Sequence, residues 1–294
     1  IEAKMRKGAA YLALAMAITP LADGLSKDLA AGHTAFSVAF MRYFAAGVLA
    51  VAVSGISGRK IELPHTHIPA QLLRTALMAA AMTLMIAALA MVPLALAVGG
   101  FLIAPMVAVV VATIFLGETM TTERILGAGI SFIGAILISK PQGTFEVGSL
   151  MALAGGCVMG LYLALSRSGV PKGDAFPVLA VQSLLGSMMI LPLAIYFGIA
   201  WPNRTDLLEI VALGAVSAFC HYLVISAYHR ADAGVLAPFF YCNIIFSIPL
   251  GFLWFGEVPS AMALAGMAAI ALGGILALQG RAKLRLRRLA SRIG

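Results

Sequence analysis

The chain has 294 residues, 62% of them hydrophobic and 11% charged, with a formal net charge of +8 and a mean hydropathy of +1.01. A soluble domain carries about a quarter charged residues, so this composition argues against a water-soluble globular protein and for one built for lipid. Cys157, Cys220 and Cys242 lie far apart inside apolar stretches, which argues against a disulfide framework or a zinc knuckle.

Windows of about 19 residues define ten apolar spans, approximately 7–26, 34–56, 70–91, 94–116, 125–139, 148–168, 175–198, 207–228, 234–255 and 260–279. The first follows Lys4, Arg6 and Lys7 in the manner of a signal peptide. No small-x-small cleavage site closes it, and it reads as a retained first helix. The second span carries Arg42-Tyr43, and the first holds Asp23 near its far end. Val92-Pro93 alone separates the third and fourth spans; a proline can start a helix there without needing its own N–H. The fifth, 125–139, is near the lower limit for crossing about 30 Å of hydrocarbon. Gln182 lies in the seventh span, His221, Tyr222 and Ser226 in the eighth, and Tyr241 and Asn243 in the ninth. The tenth runs into a basic tail containing Arg281, Lys283, Arg285, Arg287, Arg288 and Arg292.

The order repeats. Advancing the chain by 139 or 140 positions lays Thr34-Ala35-Phe36 on Asp174-Ala175-Phe176, Gly117-Glu118 on Gly256-Glu257, Gly127 on Gly266, and Gly134 on Gly273. Each half holds five spans, and an odd number reverses the orientation of the half that follows. The expected fold is therefore an all-α membrane protein with ten transmembrane helices in two inverted five-helix repeats, residues 1–140 and 141–280, followed by a basic tail, 281–294. Inverted repeats of this kind build secondary transporters, with the substrate site between the halves near the bilayer midplane.

Ten spans put both termini on one side. That side collects Lys4, Arg6, Lys7, Arg59, Lys60, Arg74, Arg124, Arg167, Lys172, Arg230 and the tail, against Lys27, Lys140 and Arg204 on the other. The positive-inside rule then places both termini in the cytoplasm. The basic residues sit beside membrane spans and are not interleaved with aromatics, so they read as topogenic charges touching anionic lipid headgroups, with no nucleic-acid partner.

The run Val92-Pro93-Leu94-Ala95-Leu96-Ala97 through Pro105, Gly117-Glu118, Gly127 and Gly134-Ala135-Ile136-Leu137-Ile138 resembles the EamA module of the drug/metabolite transporter superfamily. A second copy runs from Ala231-Asp232-Ala233-Gly234 through Gly256-Glu257, Gly266 and Gly273-Gly274-Ile275-Leu276, and Arg42-Tyr43 matches an arginine-aromatic pair common there. The resemblance, close to bacterial exporters of aromatic amino acids and metabolites, covers nearly the whole chain. It implies five-plus-five inverted helices, a bacterial inner-membrane location and export of small metabolites, often amino acids, by a protein functional as a monomer. One departure is that Ile244 matches Pro105, with Pro249 lying further along. The break of the ninth span is therefore left open.

Polar groups inside spans carry the functional reading, because a charge at the bilayer centre costs about 2.5–3.5 kcal/mol on the insertion scale. Arg42, with or without Asp23, either holds a substrate carboxylate and serves coupling or gating, or forms a fixed interhelical pair. Tyr43, Gln182, His221, Tyr222, Tyr241 and Asn243 either line a substrate cavity or act as polar glue between helices worth about 0.6 kcal/mol per contact. Tyr222 and Ser226 are one helical turn apart and can share a face. Fifteen methionines fit either ordinary packing or a compliant pocket. Glycines 117, 127, 129, 134, 156, 160, 256, 266, 273 and 274 read as helix ends and close approaches.

His65 and His67 form an H-x-H pair with no further ligands nearby, and Asn203-Arg204-Thr205 fits a glycosylation pattern. No phosphate loop, H-E-x-x-H or G-x-S-x-G occurs, so neither cofactor nor metal nor ATP drive is expected. Transport of amino acids, aromatic ones included, by alternating access is the primary expectation. Export of drugs or other organic cations is the alternative, with a channel or an intramembrane enzyme as further rivals.

Overall fold

The computed structural model describes residues 2–61, 68–115, 122–139, 146–165, 175–199, 202–231 and 236–290. Every regular element among them is helical. In chain order these are α1 (Glu2–Leu29), α2 (Ala35–Ile56), α3 (Ile68–Leu89), α4 (Leu94–Phe101), α5 (Ala104–Phe115), α6 (Thr122–Ser139), α7 (Val147–Leu165), α8 (Ala175–Tyr196) and α9 (Arg204–Tyr228). A 3₁₀ turn (Ala237–Tyr241), α10 (Cys242–Phe255) and α11 (Ala261–Ala290) follow. Among the described residues, eight helical stretches are long and apolar enough to cross a membrane, counting α4 with α5 and the 3₁₀ turn with α10. Two further apolar stretches, Ile125–Ile138 and Ala261–Leu276, are shorter. Side chains such as Phe115, Tyr196, Leu208 and Leu253 stay exposed along these helices, as expected where hydrocarbon replaces water.

Local chemistry sets the helix ends. Thr34 caps α2 by accepting the Ser37 N–H. Asn203 and Asp206 form a capping box at the start of α9. Gly256 ends α10 in a left-handed conformation, φ 66°, which glycine adopts without a Cβ penalty. The last apolar helix continues unbroken into 281–290, the first part of the basic tail.

The packing is paired. α2 lies on α8 and α6 on α11; α3 meets α7 as α1 meets α9; α4 and α5 meet α7 as α10 meets α1; and α2 meets α9 as α8 meets α3. Each of these contacts has its counterpart when residues are advanced by 139 or 140 positions. The α6–α11 crossing is backbone against backbone. A Cβ on Gly134 would stand 2.7 Å from the Gly266 carbonyl oxygen, and one on Gly273 2.5 Å from that of Gly127.

Two spans are interrupted at equivalent places. α4 ends at Phe101 and α5 begins at Ala104, while the 3₁₀ turn gives way to α10 at Cys242. Pro105 explains the first break, since it offers no N–H to the preceding turn. No proline stands at Ile244, yet the second span changes helix type at the matching register, with Pro238 near the start of its 3₁₀ turn. Pro249 lies inside α10.

Candidate functional site

Arg42, in the first third of α2, is 5% exposed, and Asp23 on α1 is 3% exposed. The Arg42 Nη1 donates to Asp23 Oδ1 at 3.1 Å and to Ser26 Oγ at 3.2 Å. α1 brings both acceptors because Asp23 and Ser26 are three residues apart on one face. The serine hydroxyl in turn donates to the Ala22 carbonyl. A guanidinium among apolar helices is thus neutralised and held in one orientation.

Beside this pair, Arg42, Tyr43, Ala46, Met82, Ser183, Ser217 and His221 line a cavity of about 10 Å³, room for roughly a single water. His221 Nδ1 donates to the Ser217 carbonyl at 2.9 Å, which commits that proton and leaves Nε2 as the acceptor. The Tyr43 hydroxyl and Ser217 Oγ are buried without a hydrogen-bond partner among the described residues. An unpaired buried polar group costs about 1–3 kcal/mol. Two of them lie here beside an arginine and a histidine.

α2, α3, α8 and α9 supply the cavity lining, α1 the counter-charge, and both sequence halves contribute. The chain therefore holds a small cavity between helices, mostly apolar in lining, with the polar side chains of Arg42, Tyr43, Ser183, Ser217 and His221 around it. The same order of helices, glycines and breaks repeats 139 or 140 residues further along the chain. The EamA-like transporter family matches the sequence twice, at residues 6–140 and 146–279. The chain belongs to that family.

It is a transporter, not an enzyme, and an integral membrane protein. Among EamA-like relatives, an S-adenosylmethionine uptake transporter of Rickettsia prowazekii is 23% identical over 86% of this chain and 85% of its own. A riboflavin transporter of Brucella anthropi is 28% identical over 76% and 80%. A probable terminal-alkyne amino-acid exporter of Streptantibioticus cattleyicolor is 27% identical over 61% and 62%. A solved crystal structure aligns over 98% of this chain and 99% of its own with a TM-score of 0.65 at 20% identity. That likeness shows the fold.

Of the residues singled out in the sequence, Arg42, Tyr43, His221 and Asp23 come together. Gln182 stands next to the lining residue Ser183 but spends its Nε2 on Met78 Sδ at 2.9 Å and the Tyr162 hydroxyl at 3.3 Å. Tyr222 stacks on Phe176, centroids 4.6 Å apart. Tyr241 and Asn243 flank the break in the ninth span; the Tyr241 hydroxyl and Asn243 Oδ1 are buried and unpartnered among the described residues. Ser26, Ser183 and Ser217 were not foreseen in these positions. The available signals were their spacings: Ser26 three residues after Asp23, and Ser217 one turn before His221. His65, His67, Gly117-Glu118, Lys140, Arg167 and Lys172 lie outside the described residues.

A second cleft, of about 420 Å³, opens where α1 ends and α9 begins, lined by Asp28, Leu29, Gly32, His33, Asn203, Asp206 and Glu209. His33 Nε2 and Asp206 Oδ2 are 3.1 Å apart there, and Asn203 is engaged as the α9 cap. Among the described residues no group of three or more His, Cys, Asp or Glu is arranged to hold a metal ion.

Proposed function

We propose that the protein is a secondary transporter of the bacterial inner membrane that exports amino acids, aromatic ones included, and related small metabolites by alternating access. Ten spans form two inverted five-helix halves, 1–140 and 141–280, with both termini and the tail 281–294 in the cytoplasm. The observation that carries the substrate reading is the pair of unpartnered hydroxyls, Tyr43 and Ser217, beside Arg42 and His221. Arg42 suits a carboxylate, the hydroxyls and His221 Nε2 suit an ammonium or further oxygens, and Met82 gives a polarizable apolar wall. Gln182, Tyr222, Tyr241 and Asn243 bind substrate as the enclosed state widens along the two broken spans, whose equivalent positions favour a site there. The relatives' names support transport of small metabolites, one of them naming uptake and another amino-acid export. S-adenosylmethionine and an amino acid share an α-amino acid group, and S-adenosylmethionine and riboflavin share flat rings.

The acidic lining of the cleft at Asp28, Asp206 and Glu209 favours a second reading, export of organic cations. Efflux of labelled phenylalanine, and of a labelled quaternary ammonium, from vesicles containing Tyr43→Phe or Ser217→Ala protein tests the primary one. Removing an unpaired hydroxyl leaves the fold intact, so phenylalanine efflux falls about tenfold, a loss of about 1.4 kcal/mol of binding to the transition state, at unchanged folded yield. Efflux of phenylalanine at the original rate in both variants contradicts the site. Efflux of the cation alone replaces the substrate class.

A further inference from the structure

The end of α1 carries a second charged group that the central cluster does not use. Lys27 Nζ donates to three acceptors at once: the Leu89 carbonyl at 2.9 Å, the Val92 carbonyl at 2.6 Å and Glu257 Oε1 at 2.9 Å. An ammonium has three protons, so every one is placed. The other carboxylate oxygen, Glu257 Oε2, accepts the Leu94 N–H at 2.7 Å. Leu94 opens α4, whose N-cap, Pro93, makes no side-chain capping bond. Glu257 therefore caps α4 from another part of the chain, with the sign the helix dipole prefers, while Lys27 closes the carbonyl end of α3 with the opposite sign.

Three further contacts seat this knot. Phe255 lies under the ammonium, 5.5 Å from its centroid. Gly24 lets α10 approach α1, since a Cβ there would stand 3.2 Å from the Trp254 ring. The left-handed Gly256 turns the chain so that Glu257 N–H reaches the Gly251 carbonyl at 3.1 Å. The knot joins α1, α3 and α4 of one half to the end of α10 in the other, on the face where α1 ends. Its two charged side chains are 15% and 18% exposed, at the edge of solvent, where they can be released into water.

The same helix turn reaches the central cluster. Lys27 follows Asp23 by one turn and Ser26 by one residue, so the segment of α1 that holds Glu257 also holds Arg42. Pro20 precedes this segment inside the helix, and a proline without an N–H is where a helix bends.

We propose that Lys27 and Glu257 are the outer gate of the transport cycle, positioning residues that hold the face at the end of α1 closed until the part of α1 beyond Pro20 swings out and carries Asp23 with it. This rests on the reading that the protein works by alternating access with that face outward. It differs from a simple ion pair in one respect. Each charge is anchored to backbone of fixed sign, two carbonyls on the Lys27 side and an N–H on the Glu257 side, so the pair has a direction.

The test uses full-length protein in vesicles, with Cys157, Cys220 and Cys242 replaced by serine and a reporter introduced as Ala46→Cys in the cavity lining. A membrane-impermeant maleimide is applied from each side, and Gly58→Cys and Arg204→Cys proteins report orientation. Glu257→Ala and Lys27→Ala raise reporter labelling from the outer side about tenfold, equivalent to about 1.4 kcal/mol in the closing equilibrium, and Glu257→Gln, which keeps a side-chain oxygen to accept the Leu94 N–H, raises it less. Exchanging the charges, Lys27→Glu with Glu257→Lys, does not restore closure, because the introduced carboxylate meets two carbonyl oxygens and the introduced ammonium meets an N–H. Unchanged labelling in folded variants, restoration by the exchange, or loss of folded protein even in Glu257→Gln overturns the proposal; the last makes the knot a static brace. Labelling requires no substrate, so an error in the substrate class leaves this result standing, and an error in orientation shows in the two control proteins.

Discussion

Arg42 sits with its guanidinium against Asp23 and Ser26, and truncating one end of such a pair strands the other charge among apolar helices. Arg42→Ala therefore costs about 3–5 kcal/mol of stability and removes transport. The combined Arg42→Met, Asp23→Leu variant removes both charges and recovers most of the folded yield by size-exclusion chromatography, while efflux stays absent. Recovery of efflux in that variant would make the pair purely structural. Tyr43→Phe behaves in the opposite way to Arg42→Ala in stability, which stays unchanged or rises by about 1 kcal/mol, because the hydroxyl it loses has no partner among the described residues. The arginine and its partner were legible in the sequence because a charge in an apolar span must be answered. The serines were not, because a hydroxyl in such a helix can satisfy itself on its own preceding turn, as Ser26 does on Ala22 and Thr83 on Ala79.

At the scale of elements, small residues decide where helices touch. Gly134 faces the Gly266 backbone, whereas Gly129 on the same helix meets nothing within 4 Å. Gly134→Val accordingly separates α6 from α11 and costs about 1–3 kcal/mol by overpacking, lowering the melting temperature in detergent. Gly129→Ala leaves it unchanged or raises stability by about 0.5–1 kcal/mol through helix propensity. Equal melting temperatures for the two variants would contradict the backbone-to-backbone crossing. Gly127 and Gly134 were readable beforehand from their repetition at Gly266 and Gly273, whereas Gly129, expected as a close approach, has no such counterpart and touches no neighbouring helix. The breaks were half readable. Pro105 announces the first, but Ile244 hides the second, because the change from 3₁₀ to α at Cys242 is set by where Pro238 starts the segment and by packing around it. The fourth and ninth spans consequently read as continuous runs in hydropathy and as two pieces each in space.

Across the whole molecule, the packing of α2 on α8 and α9 and of α3 on α8 joins the two halves of the sequence through the helices that line the Arg42 cavity. The double match to the family was foreshadowed by spans and glycines that recur over half the chain. The enclosed size of the cavity, about 10 Å³, was not, since hydropathy reports which residues avoid water and not how closely their helices meet. The proposed orientation predicts that cysteines at Gly58 and Gly280 are labelled only from the cytoplasm and one at Arg204 only from outside; labelling of Gly58 and Arg204 from one side would contradict the inverted arrangement. The most direct test of alternating access through this chamber is counterflow. Vesicles holding the purified protein are loaded with unlabelled phenylalanine and diluted into labelled phenylalanine. The account predicts a transient accumulation of label above its equilibrium level, absent with the folded Arg42→Met, Asp23→Leu protein. Simple equilibration without an overshoot, at a rate that does not saturate with concentration, would contradict it.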